Sequence, residues 1–140
     1  AKQPNPSKHS TNMHTSFLRI ATLYGALSVA LGAFAAHGLS KQLTEKSLAI
    51  FETAVKYQFY HVFALALAAI LYREYDQKLC TWAGRLFIAG VIIFSGSLYC
   101  LSLLPELKWL GAITPFGGTA FIGGWVCLFL ALNKRRKQTL

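Results

Sequence analysis

Lys56, Gln58 and His61 fall within two helical turns of one another, beside Tyr57 and Tyr60, in a stretch that is otherwise largely apolar. An ionisable group there costs about 2.5 to 3.5 kcal/mol to place in hydrocarbon, so it calls for a partner or a role. His61 offers two. Its imidazole changes charge near physiological pH, which suits a proton relay or a quinone contact; its neutral form, with one donor and one acceptor to satisfy, equally suits a bond to a carbonyl or hydroxyl of a neighbouring helix. Lys56 can carry its ammonium to the membrane surface on its apolar stem, and a pair with Glu52 at i, i+4 would contribute roughly a few tenths of a kcal/mol. His37, in Ala36-His37-Gly38-Leu39, completes a candidate polar pocket of His37, Glu52, Lys56, Gln58 and His61. Two histidines and a carboxylate could hold a metal, yet their separation along the chain has no ligand spacing, so no metal site and no cofactor is expected. A turn role is expected for His37, with Gly38 left-handed after the helix.

The hydroxyls of Ser95, Ser97 and Tyr99, and that of Thr114 further on, suit interhelical hydrogen bonds. Arg85 can snorkel to the surface, though a lipid phosphate would also satisfy it. The chain has no Ser-His-Asp set, no phosphate loop and no paired intramembrane carboxylates, so no enzyme is expected.

These residues sit on four apolar stretches, at about 17–36, 54–72, 80–103 and 116–132, in a chain that is 54% hydrophobic and only 14% charged. Each is near the roughly 20 residues needed to cross a bilayer as a helix. Continuous rather than alternating apolar runs favour helices over a barrel. The expected fold is an all-α, four-helix integral membrane bundle, with 17–133 as its domain between a mobile polar tail (1–16) and a basic tail (134–140). The +9 charge sits at the ends of the spans. With both termini inside, the inner segments carry Lys2, Lys8, Arg19, Arg73, Lys78, Arg85, Lys134, Arg135, Arg136 and Lys137, and the outer ones Lys41, Lys46, Lys56 and Lys108. This bias follows the positive-inside rule. The Lys134-Arg135-Arg136-Lys137 run is expected to meet anionic lipid; it lacks the interleaved aromatics of a nucleic-acid surface, so no nucleic acid is expected. A multi-pass protein of the bacterial cytoplasmic membrane is favoured, with an organelle membrane the alternative.

Met13 is the sole methionine. Ala33-Phe34-Ala35 resembles a signal-peptidase site, but the apolar run before it is long, so the first span is expected to be retained. Before the second span, Thr44 can cap a short amphipathic segment with Leu48, Phe51 and Val55 on one face and Glu45, Glu52 and Lys56 on another. This segment is expected at the outer interface, running into the second span and placing Lys56, Gln58 and His61 near that span's outer end. Pro105 should end the third span, and Thr114-Pro115 reads as a cap followed by the first residue of the fourth. Gly25, Gly32, Gly96, Gly117, Gly118, Gly123 and Gly124 are expected to admit close helix packing. Cys80, Cys100 and Cys127 share no depth pairwise, so no disulfide is expected.

Four motifs agree on one family: Gly32-Ala33-Phe34-Ala35-Ala36-His37-Gly38-Leu39, then Phe51 to His61, then Phe94-Ser95-Gly96-Ser97-Leu98-Tyr99, then Gly111 to Gly118 with Gly124-Trp125. Together they resemble domain-of-unknown-function family 423, itself similar to animal transmembrane protein 256. The resemblance covers roughly Ala21 to Leu132 and implies a four-helix membrane protein with no catalytic residues to carry over. It places His37, Glu52, Gln58, His61, Ser95, Ser97, Thr114 and Pro115 at motif positions, whereas Ala35 stands where glycine is expected. The functional expectation is a small structural or accessory subunit packing through glycine-rich faces with itself or a larger membrane complex. The alternative is an oligomeric solute, proton or lipid pathway using the outer polar cluster around His61.

Overall fold

The computed structural model describes residues 13–137, so most of the polar tail and the last three residues of the basic tail lie outside the described residues. Four long helices follow in chain order: α1 (Thr15–His37), α2 (Glu45–Leu71), α3 (Gln77–Leu103) and α4 (Leu110–Leu132). At 1.5 Å per residue α2 and α3 are about 40 Å long and α1 and α4 about 35 Å, and each is apolar enough to cross a membrane. The chain is therefore an all-α, multi-pass integral membrane protein.

Side chains close the starts of three helices. His14 Nδ1 accepts from the Phe17 N–H at 3.3 Å, Thr44 Oγ1 from the Ser47 N–H at 3.2 Å, and Asp76 Oδ1 from the Leu79 N–H at 2.9 Å, each satisfying a donor that has no partner within its own helix. The cap at Thr44 makes the amphipathic segment the first turns of α2 itself. Ser47 and Phe51 face inward there while Lys46, Glu52 and Lys56 are exposed. The α3 helix stops at Leu103, two residues before Pro105.

Two local expectations are corrected, and a third feature is new. Gly38 is right-handed (φ −97°, ψ −61°) and leads into a 3₁₀ turn at Leu39–Lys41. A Cβ there would stand 2.8 Å from the exposed Phe34 ring, which would have to shift. Pro115 does not begin the fourth helix, which starts at Leu110 and runs through it. Proline removes only the bond to the Gly111 carbonyl, close to the helix start, a loss that membrane helices tolerate. Finally, α3 is not uniform: Val91–Ser95 form a π-helical turn between α-helical segments Gln77–Gly90 and Gly96–Leu103.

The central element is α2, packed along α1 and against α3, while α4 lies along α3 and meets α2 mainly around His61. The His14 N–H donates to the Ala69 carbonyl and the Arg136 N–H to the Glu74 carbonyl, so both described chain ends and the α2–α3 connection share one end of the bundle. There Arg135 faces Glu74 at 3.7 Å in an exposed pair, worth at most about 1 kcal/mol.

Most of the core is one apolar cluster of Phe17, Val62, Leu65, Phe87, Val91, Phe121 and Leu128 with small residues between them. A second, around Ala35, Leu39 and Phe51, closes the opposite end. Glycine decides the α3–α4 approach: a Cβ on Gly117 would lie 2.4 Å from the Phe94 backbone nitrogen, and one on Gly124 2.5 Å from the Phe87 ring. A Cβ on Gly123 would stand 3.3 Å from the Leu86 side chain, while those on Gly25, Gly32 and Gly118 would make ordinary contacts. A Cβ on Gly96 would meet nothing within 4 Å, so this glycine admits no close approach among the described residues. Gly84 and Gly90 also fit tightly, against the Phe17 and Phe121 rings. The tight glycines thus serve contacts within this chain.

Candidate functional site

Gly25 lies beside Val62 and Gly32 beside Val55, so α1 and α2 run antiparallel in a fixed register. His61 is then level with the middle of α1. It stacks on Phe121, the central residue of Leu110–Leu132, with ring centroids 3.5 Å apart and planes 10° from parallel, and Phe121 in turn packs on Gly90 near the middle of α3. Mid-bundle is therefore the correct depth for His61. The outer-end expectation fails because α2 begins at Glu45 rather than near Ala54.

Both ring nitrogens of His61 are occupied. Nδ1 lies 2.7 Å from the Tyr57 carbonyl, which can only accept, so Nδ1 carries the proton. Nε2 then accepts from the Trp125 indole N–H at 3.3 Å. The arrangement selects one neutral tautomer and holds it between α2 and α4. Beside it a cleft of about 420 Å³ is lined by Tyr57, His61, Phe94, Pro115, Gly118, Thr119, Phe121, Ile122 and Trp125, so its walls are chiefly aromatic and aliphatic.

A second polar layer ties the other helices. Gln58 donates from Nε2 to the Tyr24 carbonyl of α1 at 3.0 Å and accepts at Oε1 from the Tyr99 hydroxyl of α3 at 2.7 Å. The Ser28 hydroxyl reaches the same Tyr24 carbonyl at 2.7 Å. Ser95, fully buried in the π-turn, donates to the Ala54 carbonyl of α2 at 2.8 Å. Ser97 and Thr114 share a 2.7 Å hydrogen bond between α3 and α4. Among the described residues every buried side-chain nitrogen or oxygen has a partner.

Of the five residues proposed for one polar pocket, only Gln58 and His61 are buried, at 4% and 6% exposure. Glu52, Lys56 and His37 are exposed, because they occupy other faces of their helices. At 1.5 Å per residue His37 stands about 18 Å further along α1 than Gly25, well away from the level of His61. Among the described residues no three His, Cys, Asp or Glu side chains cluster as metal ligands. The three cysteines are free. Trp125, Phe121, Tyr24 and Ser28 belong to the site without having been singled out for it; Trp125 alone carried a signal, as the last residue of the fourth motif.

The family described as "Protein of unknown function (DUF423)" matches over residues 31–118, which include Gln58, His61 and the π-turn. The chain belongs to the DUF423 family. Relatives named UPF0382 membrane protein align along nearly their whole length. The Staphylococcus haemolyticus protein is 42% identical over 118 residues, covering 84% of this chain and 95% of its own length. The Bacillus subtilis protein YwdK is 41% identical over 119 residues, with 84% and 96% covered, and that of Haemophilus influenzae is 41% identical over 118 residues, with 83% and 92% covered. No solved structure matches. The DUF423 match stops at Gly118, short of Phe121 and Trp125, which complete the surroundings of His61.

Proposed function

We propose that this DUF423 protein is a small accessory subunit of a larger assembly in the bacterial cytoplasmic membrane, a rigid four-helix piece that stabilises a partner and carries out no reaction itself. The observation that carries this reading is that, among the described residues, every buried side-chain polar atom has a partner. Gln58, Ser95 and His61 each spend their hydrogen bonds on a neighbouring helix or on their own backbone, as packing ties do. A proton or solute path would instead require exchangeable groups in series, and His61 has no free nitrogen.

The tight glycines pack within the chain, so a partner would use another surface. The cleft beside His61 is a concavity between α2 and α4, and in this reading it receives an apolar side chain of the partner. On the charge bias both chain ends face the cytoplasm, where the Lys134 to Lys137 run meets anionic lipid.

Purification in native lipid discs followed by native mass spectrometry tests the reading. A stoichiometric foreign subunit that crosslinks from Thr119→Cys supports it; a bare monomer, or a closed homo-oligomer that passes solute or protons in liposomes and loses flux with His61→Ala, overturns it.

A further inference from the structure

Arg85 stands exposed on α3, with its guanidinium carbon 5.5 Å from the centre of the Trp82 ring. Gly90, which packs on the central residue of α4, marks the mid-bundle level. At 1.5 Å per residue Arg85 starts about 7.5 Å from that level, inside a hydrocarbon layer about 15 Å deep on each side. A cation at this depth needs either a counter-charge or a route to the surface.

The nearby acids are committed elsewhere. Asp76 caps α3 by accepting from the Leu79 N–H at 2.9 Å, and Glu74 faces Arg135. Helical side chains lean toward the N-terminus of their helix, so the Arg85 stem runs past Trp82, one turn earlier, toward the bundle end that holds the described chain ends. Lys78, also exposed, lies two turns before Arg85 on the same face. Two cations and an indole thus line one strip from the interface into the hydrocarbon, with no acid among them.

We propose that Lys78, Trp82 and Arg85 form a binding site for the phosphate of an anionic phospholipid. The guanidinium pairs with phosphate oxygens from below while the Lys78 ammonium approaches from the aqueous side, and Trp82 shields the arginine stem at the interface. A zwitterionic lipid brings its own cation and fits two positive charges less well. Free phosphate is disfavoured because Arg85 begins within the hydrocarbon. The Lys134 to Lys137 run differs: it follows the last span, is largely exposed and has Arg135 facing Glu74, so its attraction to lipid is diffuse and screened by salt, whereas a partly desolvated Arg85 keeps its grip.

The test is lipid binding by the full chain in phosphatidylcholine nanodiscs doped with phosphatidylglycerol, read by native mass spectrometry at 0.5 M salt to suppress the tail. Wild type should retain one phosphatidylglycerol in preference to phosphatidylcholine, and millimolar inorganic phosphate should not displace it. Arg85→Gln should weaken retention about fivefold, Arg85→Lys should keep most of it, and Lys137→Gln should change nothing. Equal retention of the two lipids by wild type, displacement by inorganic phosphate, or unchanged retention in a folded Arg85→Gln would overturn the site. If Arg85→Gln does not fold, Lys78→Gln decides: an approximately fivefold loss supports the site, and wild-type retention overturns it.

Discussion

Trp125 gives its indole N–H to His61 Nε2 across the space between α4 and α2, at 3.3 Å, and the two rings meet at 62°. The contact agrees with the tautomer that the Tyr57 carbonyl imposes, in which Nδ1 donates and Nε2 is free to accept. Trp125→Phe keeps an aromatic ring but leaves Nε2 without its donor. The expected loss is about 0.5 to 2 kcal/mol, spanning the interhelical hydrogen bonds measured in membrane proteins and the extra penalty for an unpaired acceptor. His61→Phe in the Trp125→Phe background should recover part of that loss, since no imidazole is then stranded. Reversible unfolding in mixed micelles measures both; additive penalties would show that the bond does not couple the two residues.

Gln58 joins three helices with two hydrogen bonds, so Gln58→Leu is expected to cost more than Tyr99→Phe. The first change leaves the Tyr99 hydroxyl buried without an acceptor, whereas the second removes that hydroxyl altogether. A double-mutant cycle should give a coupling of about 0.5 to 3 kcal/mol, with the double variant less destabilised than the sum of the singles. Zero coupling would remove Gln58 from its bridging role.

The four spans were readable because continuous apolar runs leave the backbone in lipid few alternatives. Thr44 was readable because its cap chemistry is local. The depth of His61 was not, since it follows from the α1–α2 and α2–α4 registers, which depend on which side chains interlock across helices. The start of α4 was misread for a related reason: Thr114-Pro115 carries a strong local signal for a helix start, but the hydroxyl of Thr114 is engaged with Ser97 and with the Leu110 carbonyl. Ser97 and Thr114 were legible as interhelical donors by type, while Ser28 looked like any small residue of a membrane helix. Exposed Glu52 and Lys56 were grouped with Gln58 by sequence proximity, although a helix turns such neighbours onto different faces.

Two glycines separate packing from composition. Gly117→Ala drives a methyl group into the Phe94 backbone, which cannot rotate away as a side-chain tip could, so it should push α4 off α3 and cost about 1 to 3 kcal/mol as an overpacking change. Gly96→Ala adds the same atom where nothing lies within 4 Å, and replacing a helical glycine by alanine should be neutral or stabilise by up to about 1 kcal/mol. Thermal melting of the two variants in detergent reads the opposite signs. Equal losses would mean that glycine at both positions serves a common contact.

The π-turn at Val91–Ser95 holds one residue more than an α-helical path would need, and the Gly96–Leu103 segment keeps its angular position because that surplus is absorbed locally. Deleting Ile92, which is 62% exposed, should therefore convert the turn to α-helix while leaving Tyr99 facing Gln58 and Ser97 facing Thr114. Deleting Ala89, in the regular helix, should instead turn everything beyond it by about 100° unless the bulge migrates to compensate. The Tyr99→Phe change distinguishes these cases. In the Ile92 deletion it should still destabilise, as in wild type, because the hydroxyl still meets Gln58; in the Ala89 deletion it should have no effect, the bond being already lost. If Tyr99→Phe is silent in the Ile92 deletion, the π-turn sets the orientation of the Gly96–Leu103 half of α3 rather than absorbing a spare residue.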